Sequence, residues 1–336
     1  MLNMKRTSFI TFALLALIFC AARFASAQVV RPPVPRGSQK AVVSQTIGTT
    51  DLTITYSRPP VKGRPIFADA PGTMATRAKG EATLDNQNER KAGEPIVPFG
   101  HVWRAGANEA TLFVVADDVL INGQPLAAGK YSLHTIPAKD EWTIIFNKDD
   151  GQWGSFTYDA AKDALRVKTK PQWVADNQEL LTYMIDPDVP GADGAATSKA
   201  TVNLRWEKVR VPFTVEVKDM VGSTIARLKS YVAAAKPDDP GPRMNAGNYA
   251  KANKQTEQAN AWFEEALKIN DGMIATKETF QNLQRKATIL LNLGRGPDAL
   301  VAAERAVVVG KADPNTKPTD VAALEKRIAD IKAGKM

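Results

Sequence analysis

Ile96–Asn147 reads IVPFGHVWRAGANEATLFVVADDVLINGQPLAAGKYSLHTIPAKDEWTIIFN, and two kinds of patterning in it decide the fold class. ATLFVVA, DVLIN, KYSLHTI and WTIIFN are short runs rich in Val, Ile, Thr and aromatic residues, parted by Gly, Asp, Asn and Pro, which is the composition of strands and their turns. Ahead of them stands WRAGANE, Trp103–Glu109, a dense polar knot where no turn requires one. The knot is the place to look for function, and the strands predict the architecture around it.

Working outward, AVVSQTI, LTITYS, WGSFTY, LRVKT, ELLTYMI, TVNLRWE and VRVPFTVEV repeat the strand composition on both sides. No helical period interrupts them, so crossover helices and a parallel sheet are disfavoured. A mainly antiparallel β domain, sandwich or jelly-roll-like, is predicted over residues 39–218. Thr53–Tyr56 and Ser132–Ile136 alternate, which predicts one apolar and one wet face. Asp149-Asp150-Gly151 reads as a hairpin turn, and Ala128–Leu133 as a turn glycine leading into a strand. Residues 68–94 are polar, Gly-rich and without aromatics, so they read as a long disordered loop.

The N-terminus begins MLNMKRTSFITFALLALIFCAARFASAQ, with Lys5 and Arg6, an apolar run from Phe9 to Cys20, and Ala25-Ser26-Ala27 before Gln28. This is the pattern of a secretory signal peptide over residues 1–27, cut after Ala27. The apolar run is shorter than the ~20 residues of a bilayer span, and the bulky Leu17-Ile18-Phe19 before Cys20 argues against lipid attachment. Cleavage removes the only cysteine, leaving no disulfide, thiolate nucleophile or cysteine metal site. A periplasmic or secreted location follows, with no membrane span after signal removal. Residues 28–38 contain Arg31-Pro-Pro-Val-Pro-Arg-Gly37 and read as a stiff linker. The net charge of +8 is mild, and basic and acidic residues are interspersed, as in KDEWTIIFNKDD, so nucleic-acid binding is set aside.

Composition changes after Val217. Asp219 caps a predicted connecting helix, 219–236, with Ile225, Leu228 and Val232 on one face. Lys236-Pro-Asp-Asp-Pro-Gly-Pro242 then breaks the chain before an all-α tail, 237–336, which makes the whole α+β. In QTEQANAWFEEALKIN and GRGPDALVAAERAVVVG, Ala259 matches Ala299 and Ala266 matches Ala306, as tightly packed antiparallel helices require. Ala259, Phe263, Ala266 and Leu267 resemble the second helix of a tetratricopeptide repeat, in a degenerate form. Two readings stay open for this helical-repeat tail, a cap on the fold and a surface for a protein partner.

Two polar clusters mark the β domain. The first is Tyr56-Ser57-Arg58-Pro59 with Gly63-Arg64 and Ile66-Phe67; the second is Pro98-Phe99-Gly100 with Trp103-Arg104, Gly106-Ala107-Asn108 and Ala110-Thr111. Together with Ala128-Gly129-Lys130-Tyr131 and Trp142–Asn147 they resemble domain of unknown function 2911 (DUF2911), a family of exported bacterial proteins, over about Gln39–Val217. The 68–94 loop is longer than the resemblance leads one to expect. The resemblance implies fold and compartment but no activity.

From the residues alone, Arg58, Arg64 and Arg104 offer guanidinium forks for a small anion, with Tyr56 or Trp103 to stack on a sugar ring. The competing reading pairs Glu109 with Arg104 or Arg58 and sets Asn108 on a loop backbone, bracing a sheet corner. His101, Glu109 and His134 form the metal-ligand alternative of a metal-dependent or hydrolytic enzyme, although no H-x-H spacing supports it. Ser57 and Ser132 lack a nucleophile elbow, and no phosphate-cradling glycine loop occurs. The sequence therefore predicts no catalytic residue and no cofactor. It favours a non-enzymatic binding or assembly module.

Overall fold

The alternation Leu52, Ile54, Tyr56 buries one face of a strand, and the same period recurs along most of the β domain. The computed structural model describes residues 34–69, 92–190 and 196–333, so the signal segment 1–27 and most of the 68–94 loop lie outside the described residues. In chain order the strands are β1 (Gln39–Ile47), β2 (Thr50–Arg58), β3 (Phe67–Ala68), β4 (Val97–Pro98), β5 (Thr111–Val115) and β6 (Val119–Ile121). They continue as β7 (Gln124–Leu126), β8 (Gly129–Ile136), β9 (Trp142–Asn147), β10 (Asp163–Thr169), β11 (Gln172–Pro187) and β12 (Lys199–Val217).

One sheet has the order β1-β2-β5-β8-β9-β10, every pair antiparallel, and a second has β11-β12-β6-β7. The short β3 and β4 pair in parallel. Turn chemistry sets the hairpins: Asn122 and Gly123 both have positive φ, 46° and 80°, the conformation that a two-residue turn between β6 and β7 demands. The inner faces of the two sheets meet through aromatic rings. Phe213 of β12 lies 6.4 Å from Phe113 of β5 and 5.9 Å from Phe146 of β9, while Tyr56 of β2 meets Tyr183 of β11 edge-on at 4.9 Å. After β2 the chain crosses to β11, where Val61 N–H donates to Glu179 O at 2.8 Å and Leu181 N–H to Pro59 O at 3.1 Å. This ties the chain leaving β2 to the edge strand β11 of the second sheet.

Four local expectations are corrected. TVNLRWE and VRVPFTVEV are one strand, β12, in which Glu207 at φ 52° sits in a register irregularity rather than at a chain break. WGSFTY is no strand, and Asp149-Asp150-Gly151 closes no tight hairpin, because residues 148–162 form the whole connection between β9 and β10, ending in a 3-10 turn at Ala160–Lys162. The expected wet face of β8 is buried as well as its apolar face, since this connection folds over it.

The chain divides into two compact units, residues 1–216 and 217–336. The second holds helices α1 (Met220–Ala234), α2 (Gly241–Ala252), α3 (Thr256–Thr276), α4 (Phe280–Asn292), α5 (Gly296–Ala312) and α6 (Pro318–Lys332). Asp219 caps α1, its carboxylate accepting from Gly222 N–H at 2.8 Å. Successive helices pack on each other, and the matched alanines 259, 266, 299 and 306 are all buried in one core with Phe263, Phe280 and Leu290. Buried Asn270 of α3 pins α4, its amide donating to Asn282 O at 2.9 Å.

Candidate functional site

WRAGANE leaves the strand pattern because its backbone cannot follow it. Ala105 and Asn108 have φ of 50° and 61°, left-handed values that cost an L-residue energy and persist only where surroundings enforce them. Gly106 is required by contact: a Cβ there would lie 2.8 Å from Thr111 Oγ1 and 3.4 Å from Ser57 O. An irregular backbone in a buried place must find partners for its carbonyls. Trp103 Nε1 donates to Gly106 O at 3.1 Å, Thr111 Oγ1 and Tyr183 Oη donate to Ala105 O at 2.9 and 3.0 Å, and Arg104 Nη1 donates to Asn108 O at 2.6 Å. Burial pushes the Tyr183 phenol well above its ordinary pKa, against a smaller lowering by the Thr111 hydrogen bond, so it keeps the proton it donates to Ala105 O.

The knot then gathers chain from four directions. Asn108 Nδ2 reaches Ser38 O at 3.0 Å and Ser57 Oγ at 3.2 Å, and Gly154 N–H donates to Asn108 O at 3.0 Å. Ala110 N–H donates to Gln152 O at 3.2 Å, and Trp103 exchanges two backbone bonds of 2.8 Å with Thr135 of β8. Glu109 takes Arg36 as its bidentate partner, with Nη1 at 2.8 and 2.9 Å from the two oxygens, and the Arg36 guanidinium lies 5.6 Å from the Trp153 ring centre. Arg36 belongs to the segment read as a linker, and it is a partner of Glu109 that the sequence reading, which names Arg104 or Arg58, does not include.

The remaining candidates are dispersed. Arg58 clamps β11, donating to Leu181 O at 2.9 Å and Thr182 Oγ1 at 2.6 Å. Arg64 is exposed and turns back on Val61 O at 3.0 Å and on Pro60 O. Tyr56 and Trp103 are buried in the aromatic core rather than lining an open face. The three arginines thus each hold backbone or hydroxyl groups of the protein itself, and they do not share a fork.

On the outer side of β8 lies a polar chamber that strand reading missed. His134 is fully buried, with Nε2 3.0 Å from Ser132 Oγ and Nδ1 3.2 Å from Ser155 Oγ, and its ring lies 5.1 Å from Tyr158. Gln152 Nε2 also donates to Ser132 Oγ at 3.3 Å. Burial, and after it the nearby Arg104 charge, lower the His134 pKa from 6.5 to about 3 against a smaller opposing effect of Asp149. The ring is therefore neutral. The chamber's cover is braced by Asn147 and Tyr158 on Asp163, at 2.7 and 2.8 Å. Ser132 and His134 two apart on one strand face were visible in the sequence, but the 148–162 segment that closes over them was not.

His101 is buried elsewhere, its Nδ1 3.1 Å from Phe99 O. With Glu109 on Arg36 and both nitrogens of His134 on serines, the two-histidine, one-carboxylate set is not assembled. Among the described residues no group of three or more His, Cys, Asp or Glu is placed to hold a metal ion. No described helix is long and apolar enough to cross a membrane.

Comparison with known families gives one match: the model described as "Protein of unknown function (DUF2911)" covers residues 84–215. It includes the knot, Ala128–Tyr131 and Trp142–Asn147, but not the Tyr56–Phe67 cluster. No curated protein and no solved structure matches the chain.

Proposed function

Since residues 84–215 match the DUF2911 family of proteins of unknown function, we propose that the chain is an exported, non-enzymatic binding or assembly module. In this reading the β domain is the scaffold and the helical unit carries the contact surface for a protein partner. Support from the β domain is that its polar clusters are occupied with the protein's own backbone, so a small anionic or sugar-like ligand at the knot would have to displace Arg36 from Glu109.

The observation that carries the reading is a groove of about 790 Å³ bounded by the α1–α2 connection, α3 and the start of α4. Its apolar wall is Ile269 and Met273, flanked by Lys268 and Lys277, while Arg243 is held by Glu265 at 3.3 Å. Such a wall suits an apolar segment flanked by carboxylates. The test is an affinity pull-down from a periplasmic fraction with the full-length protein and the double variant Lys268→Glu, Lys277→Glu. Loss of a captured partner at unchanged melting temperature is expected. Retention by the variant, or no specific partner for the wild type, would overturn the reading.

A further inference from the structure

Among the described residues, the buried polar atoms without a hydrogen-bond partner include His101 Nε2, Thr135 Oγ1, Trp142 Nε1 and Trp206 Nε1 of the β domain. All four residues are at most 2% exposed. Trp142 and Trp206 flank Phe67, whose ring centre is 5.0 Å from that of Trp142, 5.8 Å from Trp206 and 5.9 Å from Trp103. Trp103 stacks on Trp206 at 5.8 Å and 18°. Thr135 is the backbone partner of Trp103, and because it opposes Ile144 it shares a sheet face with Trp142, two residues along β9. His101 stands two residues before Trp103 on a run tied to β8's end by Gly100 N–H donating to Pro137 O at 2.8 Å.

Buried polar atoms are normally satisfied by protein or by a bound molecule, and several left dry in one layer would consume much of a domain's net stability. Trp103 shows the contrast, since its own indole N–H is satisfied by Gly106 O. The chemistry of the four atoms selects the guest. The two indole N–H groups can only donate. His101 Nδ1 faces the carbonyl of Phe99, which can only accept, so this contact selects the tautomer with the proton on Nδ1, in which Nε2 accepts. Thr135 Oγ1 can do either. A carboxylate could not donate to His101, and an ammonium could not accept from the indoles.

We propose that this aromatic box is an internal binding site for a hydroxylic guest, one or more water molecules or the hydroxyl group of a small alcohol, held by Trp142, Trp206, Thr135 and His101. The site is distinct from the knot and from the helical groove, so it stands or falls apart from the partner-contact reading.

The sign of two substitutions in the full-length protein tests it. Valine has the shape of threonine without the hydroxyl, whereas serine keeps the hydroxyl and loses the methyl group. With a guest bound, Thr135→Val lowers the melting temperature by about 3–6 °C and is less stable than Thr135→Ser. A dry box gives the reverse order, with Thr135→Val at or above wild type, and that result would overturn the proposal. Titration with ethylene glycol, glycerol and glucose, read by tryptophan emission, then separates the sources. A saturable shift in wild type that Thr135→Val abolishes assigns an alcohol, and no shift together with the Val-below-Ser order assigns water. Should Thr135→Val not fold, a crystal structure of the wild type decides: density within hydrogen-bonding distance of the four atoms is expected, and a box without it refutes the assignment.

Discussion

At His134 the strand period and the tertiary environment disagree. The alternation of Ser132, His134 and Ile136 puts the imidazole on the side away from the sandwich interior, where a histidine would titrate near its ordinary value. The 148–162 segment covers it instead, with Ser132 and Ser155 on its two nitrogens, and burial brings its pKa to about 3. In the unfolded chain the group titrates near 6.5, so above that pH it is neutral in both states and adds no pH dependence. Between 6.5 and about 3 the unfolded chain binds a proton that the folded one refuses, and stability falls as the pH is lowered. From pH 7 to 4.5 this contributes a loss on the order of 2–3 kcal/mol. Urea unfolding of wild type and His134→Gln at the two pH values isolates it, since the variant should lose that much less on acidification. Equal losses would show that the ring is not held neutral. The polar residues of Trp103–Glu109 were legible as unusual, but their partners were not, because Arg36 and Ser38 lie some seventy positions away in sequence.

Among the elements, the helices were the most readable. Small residues at matched positions announced close packing, and the reason is visible at Gly310 of α5, where a Cβ would lie 2.6 Å from Phe280 Cδ2 and 3.0 Å from Val321 Cγ2. Gly272 of α3 has nothing within 4 Å of such a Cβ. Helix propensity alone favours alanine at both by up to about 1 kcal/mol. Gly310→Ala is therefore expected to destabilise by about 1–3 kcal/mol through overpacking, whereas Gly272→Ala should stabilise by about 0.5–1 kcal/mol. Thermal unfolding of both variants checks this, and shifts of the same sign would contradict it. Strand composition located most of the β elements but misassigned Trp153–Tyr158. That segment has aromatic content without the pairing, and ladder hydrogen bonds, not composition, make a strand.

At the scale of the whole molecule, the reading as an exported protein predicts that N-terminal analysis of the mature chain begins at Gln28, and an intact Met1 in the exported fraction would refute it. What the sequence determined by itself was the fold class, the change from strands to helices near Val217 and the likeness of residues 84–215 to DUF2911, because hydrophobic period, turn residues and motif spacing are local properties of the chain. Only the tertiary structure decided what the polar residues do. Hydrogen bonding is short-ranged and directional, so whether Arg58 faces an anion or the Leu181 carbonyl depends on which distant strand folding brings within 3 Å. The same holds for the aromatic box: no spacing along the chain links Phe67, His101, Thr135, Trp142 and Trp206, and only the packing of two sheets leaves four of their polar atoms facing no protein partner.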